Sequence, residues 1–198
     1  MSRLGIVHRW GGSPEADWYP WLLRELRAAR PRPFEEVEAL SMPDPDRPDP
    51  ATWVPEVAAW LGEDRARLAR TALVGHSVGC QAIVRALTTL RGGAAVAGAL
   101  LVAPWFWLDE DERDATSALW EESAFDERAA RRAAGRVVAL LSDDDPFTSD
   151  WRTNAGALEK RLGAEVVVER GARHFNAVEE PRVLELVRER LAPAVRPG

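Results

Sequence analysis

The chain has a single cysteine, Cys80, among its 198 residues. A disulfide framework needs cysteine pairs and a cysteine-rich zinc site needs several thiolates, so one chain can build neither. We therefore expect no structural metal, and no part of the sequence calls for an organic cofactor. A reducing compartment is consistent with this cysteine content.

Long apolar runs are also missing. Nothing approaches the roughly 18 consecutive apolar residues of a transmembrane helix, and the N-terminus lacks the apolar stretch and cleavage site of a secretory signal. We expect a cytoplasmic protein that does not act on membranes.

Positive charge is in deficit. The formal net charge is −6 and the pI is about 5.2, whereas a nucleic-acid-binding surface needs a basic patch. We therefore expect a small-molecule partner rather than a nucleic acid. The length and the 46% hydrophobic content fit one globular domain over residues 1–198, as a monomer or a homodimer.

Short apolar or β-branched runs alternate with amphipathic helical patterns. The predicted strands are Leu4–Val7, Val37–Leu40, Thr71–Val74, Ala97–Val102, Val137–Leu141 and Glu165–Val168. The predicted helices are Trp18–Arg30, Pro50–Leu68, Val78–Leu90, Trp151–Leu162 and Pro181–Leu191. This alternation predicts an α/β fold with a parallel sheet covered on both faces, in which ligands bind beyond the carboxyl ends of the strands.

The segment from Trp105 to Arg136 does not follow this alternation, because it is acidic and aromatic. It could partly cover a site at the carboxyl edge of the sheet. An acidic surface loop followed by a surface helix fits equally well.

A Gly-x-Ser-x-Gly pattern, Gly75 to Gly79, follows the third predicted strand and precedes a helix. The glycines permit a sharp turn that exposes the Ser77 hydroxyl, the arrangement called a nucleophile elbow. The alternative is an ordinary serine cap at a helix N-terminus. The strand and helix on either side favour the elbow.

A serine hydroxyl needs a neighbouring base to become nucleophilic, and the chain has only three histidines. His76 lies inside the elbow, where its side chain should point away from Ser77, and His8 closes the first predicted strand. His174 lies in a glycine-containing loop after the sixth strand, in the chain order of serine, acid and histidine. His174 is therefore the predicted general base.

The acid should follow a strand between Ser77 and His174, and the run Asp143, Asp144, Asp145 supplies three adjacent candidates. Its role is to accept the second imidazole N–H and to fix the tautomer of the ring. The chemistry of the residues alone does not choose among the three.

Acyl transfer also needs donors for the tetrahedral oxyanion. The backbone N–H of Val78, directly after the serine, is one predicted donor, and the N–H of Trp10 in the loop after the first strand is the other. That loop could instead bind phosphate, but it lacks the G-x-G-x-x-G and G-x-x-x-x-G-K-[ST] spacings.

Several motifs together carry a resemblance that runs through most of the chain. They are His8-Arg9-Trp10-Gly-Gly-Ser-Pro with Trp18-Tyr-Pro-Trp21, Met42-Pro-Asp-Pro45 with Trp53-Val-Pro55, Gly75-His-Ser77-Val-Gly79, Asp144-Asp145-Pro-Phe147 and Gly171-Ala-Arg-His174-Phe175. The chain resembles the small serine hydrolases of the retinoblastoma-binding-protein-nine and YdeN type.

The resemblance implies a compact α/β-hydrolase fold with six parallel strands in the order 2-1-3-4-5-6 and no large lid domain. It also implies a catalytic triad of Ser77, Asp145 and His174. Hydrolases of this fold commonly carry the acid directly before proline, which favours Asp145 over its two neighbours. Asp143 and Asp144 are then expected to be solvated turn or helix-capping residues.

One position departs from the pattern, because relatives often have His-Gly where this chain has His8-Arg9. Arg9 is expected to add positive charge near the substrate entrance, which would favour an acidic acyl or leaving group. Trp10, Trp105 and Trp107 follow strands at the edge of the expected site and are candidates for the pocket wall, with ordinary packing as the alternative. Cys80 is expected to be a small buried residue without a role in the reaction.

The expected activity is hydrolysis of a small ester, thioester or amide through an acyl-serine, most simply as a carboxylesterase. The alternative is a protein-interaction module that has a hydrolase fold and vestigial or secondary activity, because a fold does not establish turnover.

Overall fold

The structure, a computed structural model, describes residues 1–192. Its core is one six-stranded sheet in which every neighbouring pair of strands is parallel, in the order β2-β1-β3-β4-β5-β6. The strands are β1 (Arg3–Val7), β2 (Glu36–Leu40), β3 (Thr71–His76), β4 (Gly98–Val102), β5 (Arg136–Ser142) and β6 (Glu165–Glu169). The predicted fold class, strand number and strand order are confirmed.

Helices cover both faces of this sheet. The helices are α1 (Tyr19–Ala28), α2 (Pro50–Leu61), α3 (Arg65–Leu68), α4 (Val78–Leu87), α5 (Ala115–Glu122), α6 (Glu127–Ala133), α7 (Trp151–Leu162) and α8 (Pro181–Leu186). α1 and α8 pack against one face, and the others contribute to the core on the opposite face. Because β1, β3 and β4 are covered on both sides, all their residues are buried.

One predicted helix is wrong in extent. The pattern from Pro50 to Leu68 forms two helices, because Gly62 adopts φ 68° and ends α2. The Asp64 side chain then accepts the backbone N–H groups of Ala66 and Arg67 and starts α3. A glycine followed two residues later by an aspartate is a sequence signal for such a break.

The segment between β4 and β5 is more regular than expected, since it contains α5 and α6. Arg85 of α4 holds this segment in place. Its guanidinium is buried and donates to the backbone carbonyls of Trp120 and Ser123 at the end of α5, where helix carbonyls favour a cation. This burial lowers the pKa of Arg85 to about 10. None of the helices in residues 1–192 is long and apolar enough to cross a membrane.

The helix after the predicted elbow packs very closely against the end of β1. A Cβ atom added to Gly79, in the first turn of α4, would lie 2.3 Å from the Val7 carbonyl oxygen and 2.7 Å from the His8 carbonyl oxygen. Both atoms are backbone atoms of the central sheet or the loop that follows it, so neither can move cheaply. Gly79 therefore sets how close the helix can come to the sheet.

We expect Gly79→Ala to lower the free energy of unfolding by about 1–3 kcal/mol or more, as overpacking against fixed atoms does. Gly156→Ala in α7 is the matched control, because a Cβ there meets nothing within 4 Å and alanine favours helix by about 1 kcal/mol. Urea denaturation followed by tryptophan fluorescence measures both. Equal stability of the two variants would contradict the packing described here.

Candidate active site

Ser77 occupies a strained turn between β3 and α4. Its backbone angles are φ 53° and ψ −121°, a conformation that side-chain-bearing residues rarely adopt and that costs on the order of 1–3 kcal/mol. The turn is held because the Ser77 N–H donates to the Val102 carbonyl at 2.9 Å. A Cβ at Gly75 would lie 2.8 Å from the backbone of Cys80. The chain thus builds the sharp turn that the sequence predicted.

His174 and Asp145 come together from the loops after β6 and β5. The Nδ1 atom of His174 lies 2.8 Å from Oδ2 of Asp145, and both residues are buried. Since a carboxylate accepts, Nδ1 carries the proton and Nε2 is left as the basic nitrogen. Ser77 and His174 line the same cavity, so the structure brings the three predicted residues to one site.

The two other aspartates of this turn bind the histidine loop as well. Oδ1 of Asp143 accepts the Gly171 N–H at 2.9 Å, and Oδ1 of Asp144 accepts the Arg173 N–H at 2.7 Å. Asp144 also accepts the Ser142 hydroxyl at 2.6 Å, and these bonds lower the pKa of its carboxyl. The expectation of solvated turn or capping residues missed this role.

The other two histidines already use both ring nitrogens. In His8, Nδ1 donates to the Arg9 carbonyl at 2.8 Å and Nε2 accepts the Met42 N–H at 3.3 Å. In His76, Nδ1 lies 2.7 Å from the Tyr19 hydroxyl and Nε2 lies 2.8 Å from the His174 carbonyl. Burial lowers the pKa of both rings. Each is held neutral as a structural group.

The backbone N–H groups predicted as oxyanion donors are both unengaged. Within residues 1–192, neither the Trp10 N–H nor the Val78 N–H donates to a protein acceptor. The Arg9 N–H, by contrast, donates to the Tyr19 hydroxyl at 3.1 Å. Between the Arg9 and Trp10 N–H groups of the first loop, the Trp10 N–H is therefore the one available to a ligand.

A proline-rich loop, residues 42–50, supports the loop that carries Trp10. The Gly11 N–H donates to the Pro45 carbonyl at 2.7 Å. Three indole N–H groups also bind carbonyls of this loop: Trp10 to Asp46 at 3.0 Å, Trp53 to Pro43 at 2.7 Å and Trp120 to Pro48 at 2.8 Å. The loop is thus anchored from three separate parts of the chain.

The cavity at Ser77 has a volume of about 350 Å³. It is lined by Arg9, Trp10, Ser77, Trp105, Leu108, Glu112, Asp114, Phe147, His174 and Asn176. Arg9 and Trp105 therefore lie where the sequence predicted. The segment after β4 forms part of the wall, through Trp105 and also through Leu108, Glu112 and Asp114, which were not predicted to line it.

The structure does not place Trp107 in the cavity lining, so this candidate is corrected. Asn154 of α7 accepts the Phe106 and Trp107 N–H groups at 2.7 and 3.2 Å and donates to the Trp107 carbonyl at 2.9 Å. The backbone fixed in this way leaves the Trp107 side chain 48% exposed. Leu108, the next residue, lines the cavity instead.

The charge at the cavity also differs from the expectation for Arg9. Its guanidinium is ion-paired to Asp17, with Nε 2.7 Å from Oδ2, and it donates to the Trp10 carbonyl at 2.8 Å. Two carboxylates, Glu112 and Asp114, line the same cavity. The lining therefore does not carry the net positive charge that would favour an acidic substrate.

No metal site accompanies these groups in the part of the chain that the structure describes. Across residues 1–192, no three His, Cys, Asp or Glu side chains lie close enough together to hold a metal ion.

Comparison with known proteins gives a family match over nearly the whole described chain. A family model described as serine hydrolase matches residues 4–192. YdeN of Bacillus subtilis strain 168, which is named a hydrolase, is 31% identical over an alignment of 156 positions, and the match covers 72% of each chain.

Solved structures share the fold. The crystal structure of the B. subtilis ydeN gene product superposes with a TM-score of 0.76 at 24% identity, covering 95% of this chain and 97% of that one. Est1E of Butyrivibrio proteoclasticus, solved with ferulic acid bound, gives a TM-score of 0.69 at 14% identity, with 96% and 87% covered.

Proposed function

The chain belongs to the serine hydrolase family and is a hydrolase of the YdeN type, and we propose that it cleaves small carboxylic esters, thioesters or amides through an acyl-serine. Ser77 is the nucleophile, His174 the general base and Asp145 the residue that orients the histidine. The observation that carries this proposal is the His174–Asp145 contact of 2.8 Å beside a strained, cavity-lining serine.

In the proposed reaction, the Ser77 hydroxyl attacks the substrate carbonyl carbon while Nε2 of His174 takes the hydroxyl proton. The tetrahedral intermediate collapses, and the leaving group departs with that proton. Water then attacks the acyl-serine as His174 takes a proton from it. His174 returns this proton to Ser77 when the acid is released.

The Asp145 carboxylate stabilises the imidazolium that forms in each half-reaction, because it accepts a hydrogen bond from Nδ1–H. The carboxylate does not itself become protonated. Its second oxygen accepts the Phe147 N–H at 3.0 Å, which fixes the carboxylate in one orientation. The Val78 and Trp10 N–H groups supply the oxyanion donors.

The size and lining of the cavity favour a small substrate. A volume of about 350 Å³ lies near the lower end of the range for small-molecule sites. Trp105 and Leu108 offer an apolar wall for an acyl or alcohol group, and Glu112 and Asp114 put negative charge beside it. We therefore favour neutral or cationic substrates over anionic ones.

We expect Ser77→Ala to abolish both ester hydrolysis and labelling by a fluorophosphonate probe, because the attacking oxygen is lost. The variant should fold, because the hydroxyl contributes little to packing. Its circular dichroism spectrum and unfolding midpoint should therefore match those of wild type. Labelling of the wild type with no turnover on any acyl ester, thioester or amide would favour an interaction module with a vestigial site. Unchanged turnover in Ser77→Ala would refute the mechanism.

We expect Asp145→Asn to lower kcat by about 10⁴-fold, because an amide favours the wrong tautomer of His174. Asp143→Asn is the matched control, since an asparagine oxygen can still accept the Gly171 N–H. Its kcat should stay within a few fold of wild type. Steady-state kinetics on one p-nitrophenyl ester compares the two variants, and equal losses would argue against Asp145 as the orienting acid.

We expect wild type to prefer an ester that bears an ammonium group over an uncharged ester of the same size. Near a protein surface, two charges about 8 Å apart interact by roughly 2 kcal/mol, and screening at physiological salt reduces this to roughly 1 kcal/mol. Two carboxylates therefore give a preference of roughly tenfold or more in kcat/KM. Glu112→Gln with Asp114→Asn should remove it while asparagine still caps α5.

The matched control is Glu110→Gln with Asp111→Asn, which neutralises the same number of charges on the short turn that also carries Glu112, at positions outside the cavity lining. The preference should persist there and weaken with added salt. A preference for the anionic ester, or an equal effect of the two double variants, would contradict the assigned charge selectivity.

A further inference from the structure

Two buried side chains connect the loop that carries Trp10 with the loop that carries His174. The Arg9 N–H lies 3.1 Å from the Tyr19 hydroxyl, which lies 2.7 Å from Nδ1 of His76. Nε2 of His76 lies 2.8 Å from the His174 carbonyl oxygen. Tyr19 and His76 are both fully buried, so solvent does not compete for these bonds.

The donor and acceptor in each of these three hydrogen bonds follow from the two backbone groups, the Arg9 N–H and the His174 carbonyl, that end the series. A backbone N–H can only donate and a carbonyl can only accept. The Arg9 N–H therefore donates to the Tyr19 oxygen, and Nε2 of His76 donates to the His174 carbonyl. It follows that the Tyr19 hydroxyl donates to Nδ1, with His76 in its neutral form. Burial, which lowers the pKa of His76 well below its ordinary value, keeps that form.

The histidine loop needs such support because its backbone is strained. Arg173 and Phe175, the neighbours of His174, both adopt positive φ, 50° and 54°. Residues other than glycine rarely adopt such angles, and they do so only where surrounding contacts fix them. His76 holds the carbonyl between them, and the Trp18 indole N–H holds the Phe175 carbonyl at 2.9 Å.

We propose that Tyr19 and His76 are positioning residues that fix the oxyanion loop and the His174 loop relative to each other. The proposal rests on the proposed function for its kinetic consequences. Neither side chain lines the cavity, so neither is assigned a contact with substrate. Their effect comes through the Arg9 N–H, which places the adjoining Trp10 N–H, and through the His174 carbonyl.

The first test is Tyr19→Phe, which removes one hydroxyl and keeps the ring. Because small displacements of catalytic groups cost up to 10²-fold, kcat for a p-nitrophenyl ester should fall by about 10- to 100-fold with KM changed less than about twofold. Thr71→Val is the matched control. It removes another buried hydroxyl, which accepts from Arg3 and donates to the Arg67 carbonyl at the opposite end of β3.

The second test separates hydrogen bonding from packing at His76. A glutamine amide has an oxygen that accepts and an NH₂ group that donates, so His76→Gln can reproduce both bonds, whereas His76→Leu can form neither. Activity should be higher in His76→Gln than in His76→Leu by about tenfold or more when the two are compared at temperatures equally far below their unfolding midpoints.

A third measurement does not depend on catalysis. Amide hydrogen exchange should increase in Tyr19→Phe in both residues 9–12 and residues 171–176, and in neither segment in Thr71→Val. Unchanged exchange in both loops would overturn the proposal. A kcat of Tyr19→Phe within twofold of that of an active wild type would also overturn it. A wild type without hydrolysis or probe labelling would instead refute the proposed function, and the exchange result would still decide this one.

Discussion

The turn after β5 holds the loop after β6, and the site depends on that contact. Parallel pairing brings Ser142 opposite Glu169, and the Asp143 N–H extends the ladder by donating to the Glu169 carbonyl at 3.2 Å. Side chains then replace backbone as partners. Asp143 binds Gly171, Ser142 binds Ala172 at 3.1 Å, Asp144 binds Arg173, and Asp145 binds the His174 ring. The register of β5 and β6 thus determines which residues of the two loops face each other, and through them the orientation of the His174 imidazole.

The sequence could predict the parts of the site that are local in the chain. The elbow needs only a strand, two small residues around a serine and a helix, and all of these lie between Thr71 and Leu87. The strand order came from the resemblance to a known family. So did the choice of Asp145, because three adjacent aspartates cannot be told apart by their chemistry alone. Their separate partners appear only when the loop after β6 is brought alongside.

Predictions failed where a partner elsewhere in the chain decides the outcome. Arg9 was expected to add positive charge near the substrate entrance, but Asp17, eight residues further along the chain, forms an ion pair with its guanidinium. Trp107 was expected in the pocket wall, but Asn154, on a helix far along the chain, fixes the backbone on which it lies. Neither partner shows a pattern in the sequence that would have identified it.

Cys80 lies directly behind the strained serine, where it is 3% exposed and its thiol donates to the Val102 carbonyl at 3.4 Å. Burial raises the pKa of the thiol, so the thiolate that reacts with disulfides and alkylating agents is scarce in the native state. A maleimide therefore reacts with this thiol only after local unfolding has exposed it. The single sulfhydryl group is a built-in reporter of that opening, whose rate of modification follows the local unfolding of the elbow without any introduced label.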